Sequence, residues 1–247
     1  LPVAWIESLY EGLRQCLDRY NSLLLGGDVC RSRVITVSIT ALGQVAPEQV
    51  IRRSTARLGD AILVTGVHGA SRAGLELLLH PEVGVGLNAI ARHRLIQAHQ
   101  RPQPRFDVVA RLRELNSETS RAIATRPSPM PVAGMDSSDG LANAILQICQ
   151  ASQVGARIER AQMPIPAEFD GWLPPDQALE WALYGGEDFE LVLCLPVTMA
   201  MSLLQRLGPG AAIIGTITEN LEVVMVDTSG QFPDELLTLN HGFQHFG

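Results

Sequence analysis

Three short turns that combine glycine with carboxylate side chains are the residues in this sequence best suited to chemistry. They are Gly-Gly-Asp at residues 26–28, Asp-Ser-Ser-Asp-Gly at residues 136–140 and Gly-Gly-Glu-Asp at residues 185–188. Each turn follows an apolar run, so we expect each to hold carboxylates on a tight turn at the end of a strand. Mg²⁺ takes hard oxygen ligands and usually shares them with substrate phosphates. The turns therefore predict magnesium and nucleotide chemistry.

The second turn carries more polar groups than a structural turn requires. Asp136 and Asp139 flank two serines and precede Gly140, where a strand is expected to give way to a helix. Ser138 or Asp139 could instead cap that helix, since capping side chains and acidic groups are favoured at helix N-termini. A cap needs only one of these residues, so the pair of aspartates favours a metal or nucleotide contact.

The remaining candidate motifs each have a structural alternative. The turns at residues 26–28 and 185–188 could be plain turns, because glycine and aspartate are common there for conformational reasons alone. Arg-Arg-Ser at residues 52–54 is either a solvated basic turn or a phosphate contact, for which arginine is well suited. Glycines at positions 66, 69 and 74 indicate either phosphate binding or, more commonly, packing between a helix and a strand. No Walker-type motif is present, so a P-loop cannot bind the phosphates.

Composition excludes several classes of protein. The formal net charge of −7, the aromatic content of 5% and the lack of a basic run argue against a nucleic-acid binder. No apolar stretch approaches the roughly 18 residues of a membrane-spanning helix, so no membrane association is expected. The four cysteines are dispersed without C-x-x-C spacing, which predicts reduced thiols in a cytoplasmic protein.

Hydrophobic periodicity predicts an α/β protein with some α+β character. After residue 60 the predicted strands and helices alternate, which favours a mixed sheet flanked by helices. Pro47 marks a plausible domain junction. Helices are expected at residues 3–21, 87–98, 106–124, 141–149, 176–181 and 197–206, and a further helix begins near the glycines at positions 66, 69 and 74 and continues through residue 79. Strands are expected at residues 23–25, 34–42, 61–66, 132–135, 154–158, 189–195, 212–217 and 221–226.

Taken in order, these motifs closely resemble the thiamine-monophosphate kinase family of the AIR-synthetase-like ATP-binding superfamily. The resemblance spans almost the whole chain. It is carried by residues 25–28 with Arg31, and by residues 39–43, 52–54, 59–60, 64–66, 136–141, 182–191 and 242–246.

The resemblance implies an AIR-synthetase-like two-domain fold. Residues 1–46 would be the remainder of an N-terminal domain on the dimer and ATP side, and residues 47–247 the C-terminal α/β domain. It also implies a homodimer with ATP held between domains. The family begins with a further stretch that carries a Gly-Asp-Asp signature, so we expect this chain to lack roughly the first quarter of such a protein.

The activity implied is Mg²⁺-dependent transfer of the ATP γ-phosphoryl group to thiamine monophosphate, giving thiamine diphosphate. Such transfer depends mainly on positioning and charge neutralisation, so it needs no covalent nucleophile. By motif position the resemblance implies Mg²⁺ ligands at Asp28, Asp136 and Asp139, ATP contacts at Gly27, Asp28, Arg53 and Ser138, and thiamine contacts at Glu187 and Phe243.

The expected loss of the upstream acidic stretch leaves alternatives open, and two substitutions are minor departures from the family pattern. Val29 stands where the family usually has threonine, and Ala144 stands where aspartate is common. One alternative is a non-catalytic fragment or paralogue that binds nucleotide or thiamine phosphate without turnover. The other is a different AIR-synthetase-like ATP-dependent enzyme, although residues 185–188 and 243–246 favour the kinase.

Overall fold

The structure is a computed structural model that describes residues 1–122 and 129–240. It divides into two compact units, Leu1–Gln44 and Val45–Gly247. Among the described residues, no helix combines the length and the apolar character needed to cross a bilayer.

The first unit contains one helix, α1 (Val3–Arg19), followed by an extended segment. The strands expected at residues 23–25 and 34–42 are wrong, because the described part of this segment has no strand. Their β-branched and apolar composition suits a strand, but a strand exists only where its backbone groups pair with a neighbour. No described residue provides that pairing, and Leu25 and Ile39 are 83% and 73% exposed.

The second unit combines strands and helices, which alternate in its middle part but not at its two ends. The predicted elements after residue 60 are all found, with ends shifted by a few residues. The two-residue strand β7 has no counterpart in the prediction. In chain order the elements are β1 (Ala61–Val64), α2 (Ala70–Leu79), α3 (Ala89–Gln100), α4 (Phe106–Ala122), β2 (Ala133–Asp136), α5 (Leu141–Ser152), β3 (Gly155–Glu159), α6 (Pro175–Tyr184), β4 (Leu191–Leu195), α7 (Val197–Leu204), β5 (Ala212–Thr218), β6 (Val223–Val226) and β7 (Glu235–Leu236).

The strands form one mixed sheet in the order β2-β4-β1-β5-β3-β6-β7. Every pairing is antiparallel except that between β3 and β6. In the pairing of β2 with β4, Asp136 lies opposite Leu191. The end of β2 therefore lies beside the start of β4, and the polar turns that adjoin these two ends are brought together.

Both faces of the sheet are buried by helices. On β1, Ile62 and Val64 face the cluster that includes α5, whereas Ala61 and Leu63 face the cluster that includes α4 and α7. This opposite orientation follows from the two-residue period of a strand. Because both faces are covered, β1 reads as a continuous apolar run, and the mixed sheet flanked by helices is confirmed.

Candidate active site

The second acidic turn connects β2 to α5 without serving as a side-chain cap. The N-cap of α5 is Gly140, with φ of 104°, and no side chain accepts a hydrogen bond there. The capping interpretation of Ser138 and Asp139 is therefore wrong. Among the described residues, neither Asp136 nor Asp139 has an ion-pair or hydrogen-bond partner for its carboxylate. Both are half-buried and can accept a cation.

The third acidic turn connects α6 to β4. It therefore precedes a strand, and the prediction that it lies at the end of a strand is wrong. Its backbone is unusual because Gly186, Glu187 and Phe189 all have positive φ angles, of 68°, 57° and 53°. A side chain at Gly186 would place its Cβ 2.8 Å from the carbonyl oxygen of Ser138. Glycine is therefore required where the two turns meet.

Backbone hydrogen bonds join the second and third turns. The N–H of Glu187 donates to the carbonyl of Ser138 at 2.7 Å, and the N–H of Ser137 donates to the carbonyl of Glu190 at 2.9 Å. These bonds continue the antiparallel pairing of β2 with β4 beyond the sheet. Two motifs that are about fifty residues apart in sequence thus form one polar site.

Asp188 fixes the third turn to α2. Its carboxylate accepts hydrogen bonds from the backbone N–H groups of Gly69, at 2.7 Å, and Ser71, at 2.9 Å. Burial raises the pKa of this carboxyl to about 6, although the two N–H groups act in the opposite direction. The unsatisfied N–H groups at the start of a helix are suited to such an acceptor. Asp188 therefore acts as a structural anchor.

Glu190 holds the next part of the same segment. Its carboxylate accepts hydrogen bonds from the hydroxyl of Thr65 and the guanidinium of Arg105, each at 2.5 Å. Arg105 also donates to the carbonyl of Thr65 and to Asp107. This half-buried ion pair connects the loop before α4 to the start of β4.

The three glycines around the start of α2 are packing residues. A Cβ at Gly66 would lie 2.3 Å from the carboxylate of Glu190, and one at Gly69 would lie 3.0 Å from the backbone of Ala182. Gly74 packs α2 against α3, so its contact is between two helices and not, as expected, between a helix and a strand. Protein atoms therefore occupy the space that a phosphate-binding loop would leave open.

The buried side chain of His68 contacts the second turn through Ser137. The side chain is 1% exposed, with Nδ1 at 3.1 Å from the carbonyl of Gly66 and Nε2 at 3.0 Å from Oγ of Ser137. Because a carbonyl only accepts, Nδ1 carries the proton and Ser137 donates to Nε2. Burial lowers the pKa of His68 to about 4, so the ring is neutral near pH 7.

The two joined turns open onto a cavity of about 1190 Å³ in the second unit. Three of the sequence-predicted site residues line it, namely Ser138, Asp139 and Glu187. The wall is acidic and aromatic. Its other charged residues are Arg72, Arg160, Asp176, Glu180 and Glu235, and its aromatic residues are Trp181, Tyr184, Phe189 and Phe232.

Of the sequence-predicted residues that the structure describes in the second unit, Arg53 and Asp136 do not line this cavity. Gly27 and Asp28 belong to the first unit, where the exposed carboxylate of Asp28 accepts a hydrogen bond from the N–H of Val29 at 2.8 Å. Arg53 is exposed and donates to the side chain of Gln147 on α5. Phe243 lies outside the described residues.

Sequence reasoning missed four residues that shape the site, namely His68, Arg105, Asp188 and His99, whose Nδ1 lies 3.5 Å from Oε2 of Glu187. Asp188 lies inside the third acidic turn, so its acidity was visible although its anchoring role was not. Arg105 and the two histidines gave no signal, because their contacts join segments that are distant in the sequence.

Sequence comparisons with known proteins identify the family of the chain. Residues 57–227 match the family model described as AIR synthase related protein, C-terminal domain. The thiamine-monophosphate kinase of Synechococcus elongatus is 48% identical over 99% of this chain, and that of Escherichia coli is 34% identical over 98%. The chain belongs to the thiamine-monophosphate kinase family. It spans 69% of the length of each of these two relatives.

A solved structure of this thiamine-monophosphate kinase family supports the fold. AaThiL complexed with AMPPCP and TMP has a TM-score of 0.66 and 26% sequence identity to this chain. The match covers 96% of this chain and 69% of that one. The AIR-synthetase-like α/β fold expected from the motifs is confirmed.

Proposed function

We propose that this protein transfers the γ-phosphoryl group of ATP to thiamine monophosphate, with Mg²⁺, to give thiamine diphosphate and ADP. The main support for the proposal is that one acidic and aromatic cavity is lined by Ser138, Asp139 and Glu187 together. Membership of the thiamine-monophosphate kinase family supports the choice of substrates.

The metal-binding part of the proposal rests on Asp136 and Asp139. Within the described residues, no three His, Cys, Asp or Glu side chains gather closely enough to hold a metal ion by themselves. Mg²⁺ is commonly bound by one or two carboxylates together with substrate phosphates, so two open carboxylates fit this ion. We assign Asp28 as a third ligand from its motif alone. Bound Mg²⁺ would neutralise charge on the transferring phosphoryl group.

The phosphate-binding part combines one turn and one helix. The first N–H groups of α5 follow Gly140 and have no side-chain cap. Such groups bind anions, because they are unsatisfied and lie at the positive end of the helix dipole. Ser138 adds a hydroxyl beside them, and we assign Gly27 and Arg53 to ATP by motif position.

The substrate-binding part is the acidic wall of the cavity. Thiamine carries a cationic thiazolium ring and a second aromatic ring, which suit carboxylates and aromatic faces. Arg160 lies 3.4 Å from Glu235 and 3.8 Å from Asp176, so its charge is already partly matched. The side chain of Glu187 is 59% exposed, so its carboxylate can contact the cation. We assign Phe243 to the same substrate by motif alone.

The proposed reaction needs no covalent intermediate. An oxygen of the phosphate of thiamine monophosphate attacks the γ-phosphorus of ATP. The bond from that phosphorus to the β,γ-bridging oxygen breaks, and ADP leaves with the electron pair. The contribution of the chain is to hold both phosphates in line and to neutralise their charge, which is the main requirement of such transfer.

The proposal extends to domain organisation, assembly and location. We assign residues 1–46 to an N-terminal domain and residues 47–247 to the C-terminal domain. We also propose a homodimer that acts in the cytoplasm.

The test is an assay of ADP release from Mg-ATP with and without thiamine monophosphate, together with detection of thiamine diphosphate by mass spectrometry. We expect ADP and thiamine diphosphate in equal amounts, and only when all three components are present. ADP without thiamine monophosphate would indicate a different ATPase. Binding of both ligands without ADP would indicate a non-catalytic binding protein, and either result would overturn the proposal.

A further inference from the structure

Glu187 has one charged neighbour that its motif does not include. Nδ1 of His99, on α3, lies 3.5 Å from Oε2 of Glu187. The chain contains no lysine, and among the described residues no other arginine or histidine nitrogen lies within 4.0 Å of this carboxylate. Since the Glu187 side chain is 59% exposed, this contact is the interaction that can restrict its orientation.

The position of His99 follows from the close packing of α2 and α3. A Cβ at Gly74 would lie 2.1 Å from the carbonyl oxygen of Leu95 and 2.9 Å from Cβ of His99, so the two helices meet at a residue without a side chain. This contact places Nδ1 of His99 at 3.0 Å from Oγ of Ser71. The N–H of Ser71 donates to Asp188, so the same two helices hold both acids of the third turn.

Electrostatics determines which proton His99 presents. Nδ1 faces both the hydroxyl of Ser71 and the carboxylate of Glu187. A lone pair on Nδ1 would point at a negative charge, whereas an N–H there would donate to Ser71 and lie beside Glu187. The hydroxyl accepts as readily as it donates, so the carboxylate selects the tautomer with the proton on Nδ1.

We propose that His99 is a positioning residue that fixes the carboxylate of Glu187, a residue of the cavity wall, for a cationic substrate, with Ser71 fixing the imidazole ring. The inference rests on the proposed function only for the identity of that cation. The N–H on Nδ1 orients the carboxylate. Fixing a mobile side chain before the ligand arrives improves affinity, because the ordering entropy is not lost on binding.

Calorimetric binding provides the first test, with thiamine monophosphate and a non-hydrolysable ATP analogue as the two probes. His99→Ala should weaken thiamine monophosphate binding about 3- to 10-fold, which is the range expected for the loss of one preordered side chain. Binding of the ATP analogue should not change. His99→Asn keeps a donor near the position of Nδ1 and should restore most of the affinity. His93→Ala is the matched control, since His93 is exposed on the same helix.

A double-mutant cycle separates positioning from general structural damage. When Glu187→Gln is already present, His99→Ala should weaken binding no further, because the group that it orients is gone. Additive effects of the two substitutions, or equal losses for both probes, would overturn the proposal.

Nitrogen-15 NMR of the histidine rings tests the contact without any substrate. We expect the proton of His99 on Nδ1 in the wild type and a shift toward Nε2 in Glu187→Gln. A wild-type proton on Nε2 would overturn the inference. A proton on Nδ1 in a protein that does not bind thiamine monophosphate would retain the contact and reject the proposed substrate.

Discussion

The backbone N–H of Glu187 donates a 2.7 Å hydrogen bond to the carbonyl of Ser138, and this bond joins the two acidic turns of the second unit. It exists because Asp136 lies opposite Leu191 in the antiparallel pairing of β2 with β4. A group assigned to ATP and a group assigned to thiamine are therefore held at a fixed separation by backbone atoms. Side-chain substitutions in either turn can change binding without moving the other turn.

Removal of either metal-binding carboxylate should raise the Mg²⁺ concentration required for activity. For Asp136→Asn and Asp139→Asn we expect a roughly 10- to 100-fold increase in the half-saturating Mg²⁺ concentration, since one interaction with a charged group amounts to about 1.5–3 kcal/mol. The measurement is ADP release over a Mg²⁺ titration at saturating ATP. Near-wild-type turnover at limiting Mg²⁺ would show that the residue concerned is not a ligand.

Replacement of Glu187 should affect one ligand selectively. Glu187→Gln keeps the shape of the side chain and removes the charge that attracts a thiazolium ring, so we expect weaker binding of thiamine monophosphate with ATP affinity largely kept. Separate titrations with each ligand give the two dissociation constants. Equal losses for both ligands would refute the assignment of Glu187 to the thiamine side.

The sequence predicted the elements of the second unit well and their contacts poorly. Helix and strand periodicities are local, so α2 to α7 and β1 to β6 could be recognised from short windows. The contact between residues 136–140 and residues 185–188 depends on the pairing of β2 with β4. No local sequence pattern determines that pairing. The prediction of strands at residues 23–25 and 34–42 was wrong for a related reason, because a strand requires a neighbouring strand to pair with.

Individual side chains illustrate the same limit. The number of polar groups in the turn of Asp139 exceeded what a cap uses, and no described side chain caps α5 in the structure, while the metal-binding role of Asp139 stays a prediction. His99 and Arg105 could not be found from the sequence, since each contacts a carboxylate more than eighty positions away along the chain. Gly74 was visible as a glycine inside a helix, but the helix that it contacts was not.

Gly74→Ala should destabilise the protein, although alanine is normally favoured over glycine inside a helix. The intrinsic preference is about 1 kcal/mol, whereas a Cβ 2.1 Å from the backbone of Leu95 must force α2 and α3 apart. Overpacking of this kind costs roughly 1–3 kcal/mol or more, so we expect net destabilisation measured by urea unfolding.

Gly12→Ala is the matched control for this prediction. Gly12 lies in α1, and a Cβ there would have no atom within 4 Å. This substitution should leave stability unchanged or increase it slightly. Equal effects of the two substitutions would contradict the packing argument.

Asp188 and His68 should have opposite effects on stability as the pH changes. The pKa of Asp188 is raised to about 6 by burial, so the folded state binds its proton more tightly than the unfolded state. Its contribution is fully present below the unfolded pKa and is lost as the pH rises through 6. The pKa of His68 is lowered to about 4 by burial, so its contribution is present above the unfolded pKa and is lost as the pH falls through 4.

Asp188→Asn should therefore expose the acid sensitivity caused by His68. Each pKa shift corresponds to about 3 kcal/mol of stability. In the wild type, the stability gained at Asp188 and the stability lost at His68 nearly cancel as the pH falls from about 6 to about 4. The variant loses the stabilisation that Asp188 gains on protonation. Between pH 7 and pH 4, its free energy of unfolding should therefore fall below that of the wild type by roughly a further 2–3 kcal/mol. Urea unfolding of both proteins at several pH values measures this difference. An offset that stays constant with pH would reflect only the lost hydrogen bond to Gly69 or Ser71, and would show that the Asp188 carboxyl does not titrate abnormally.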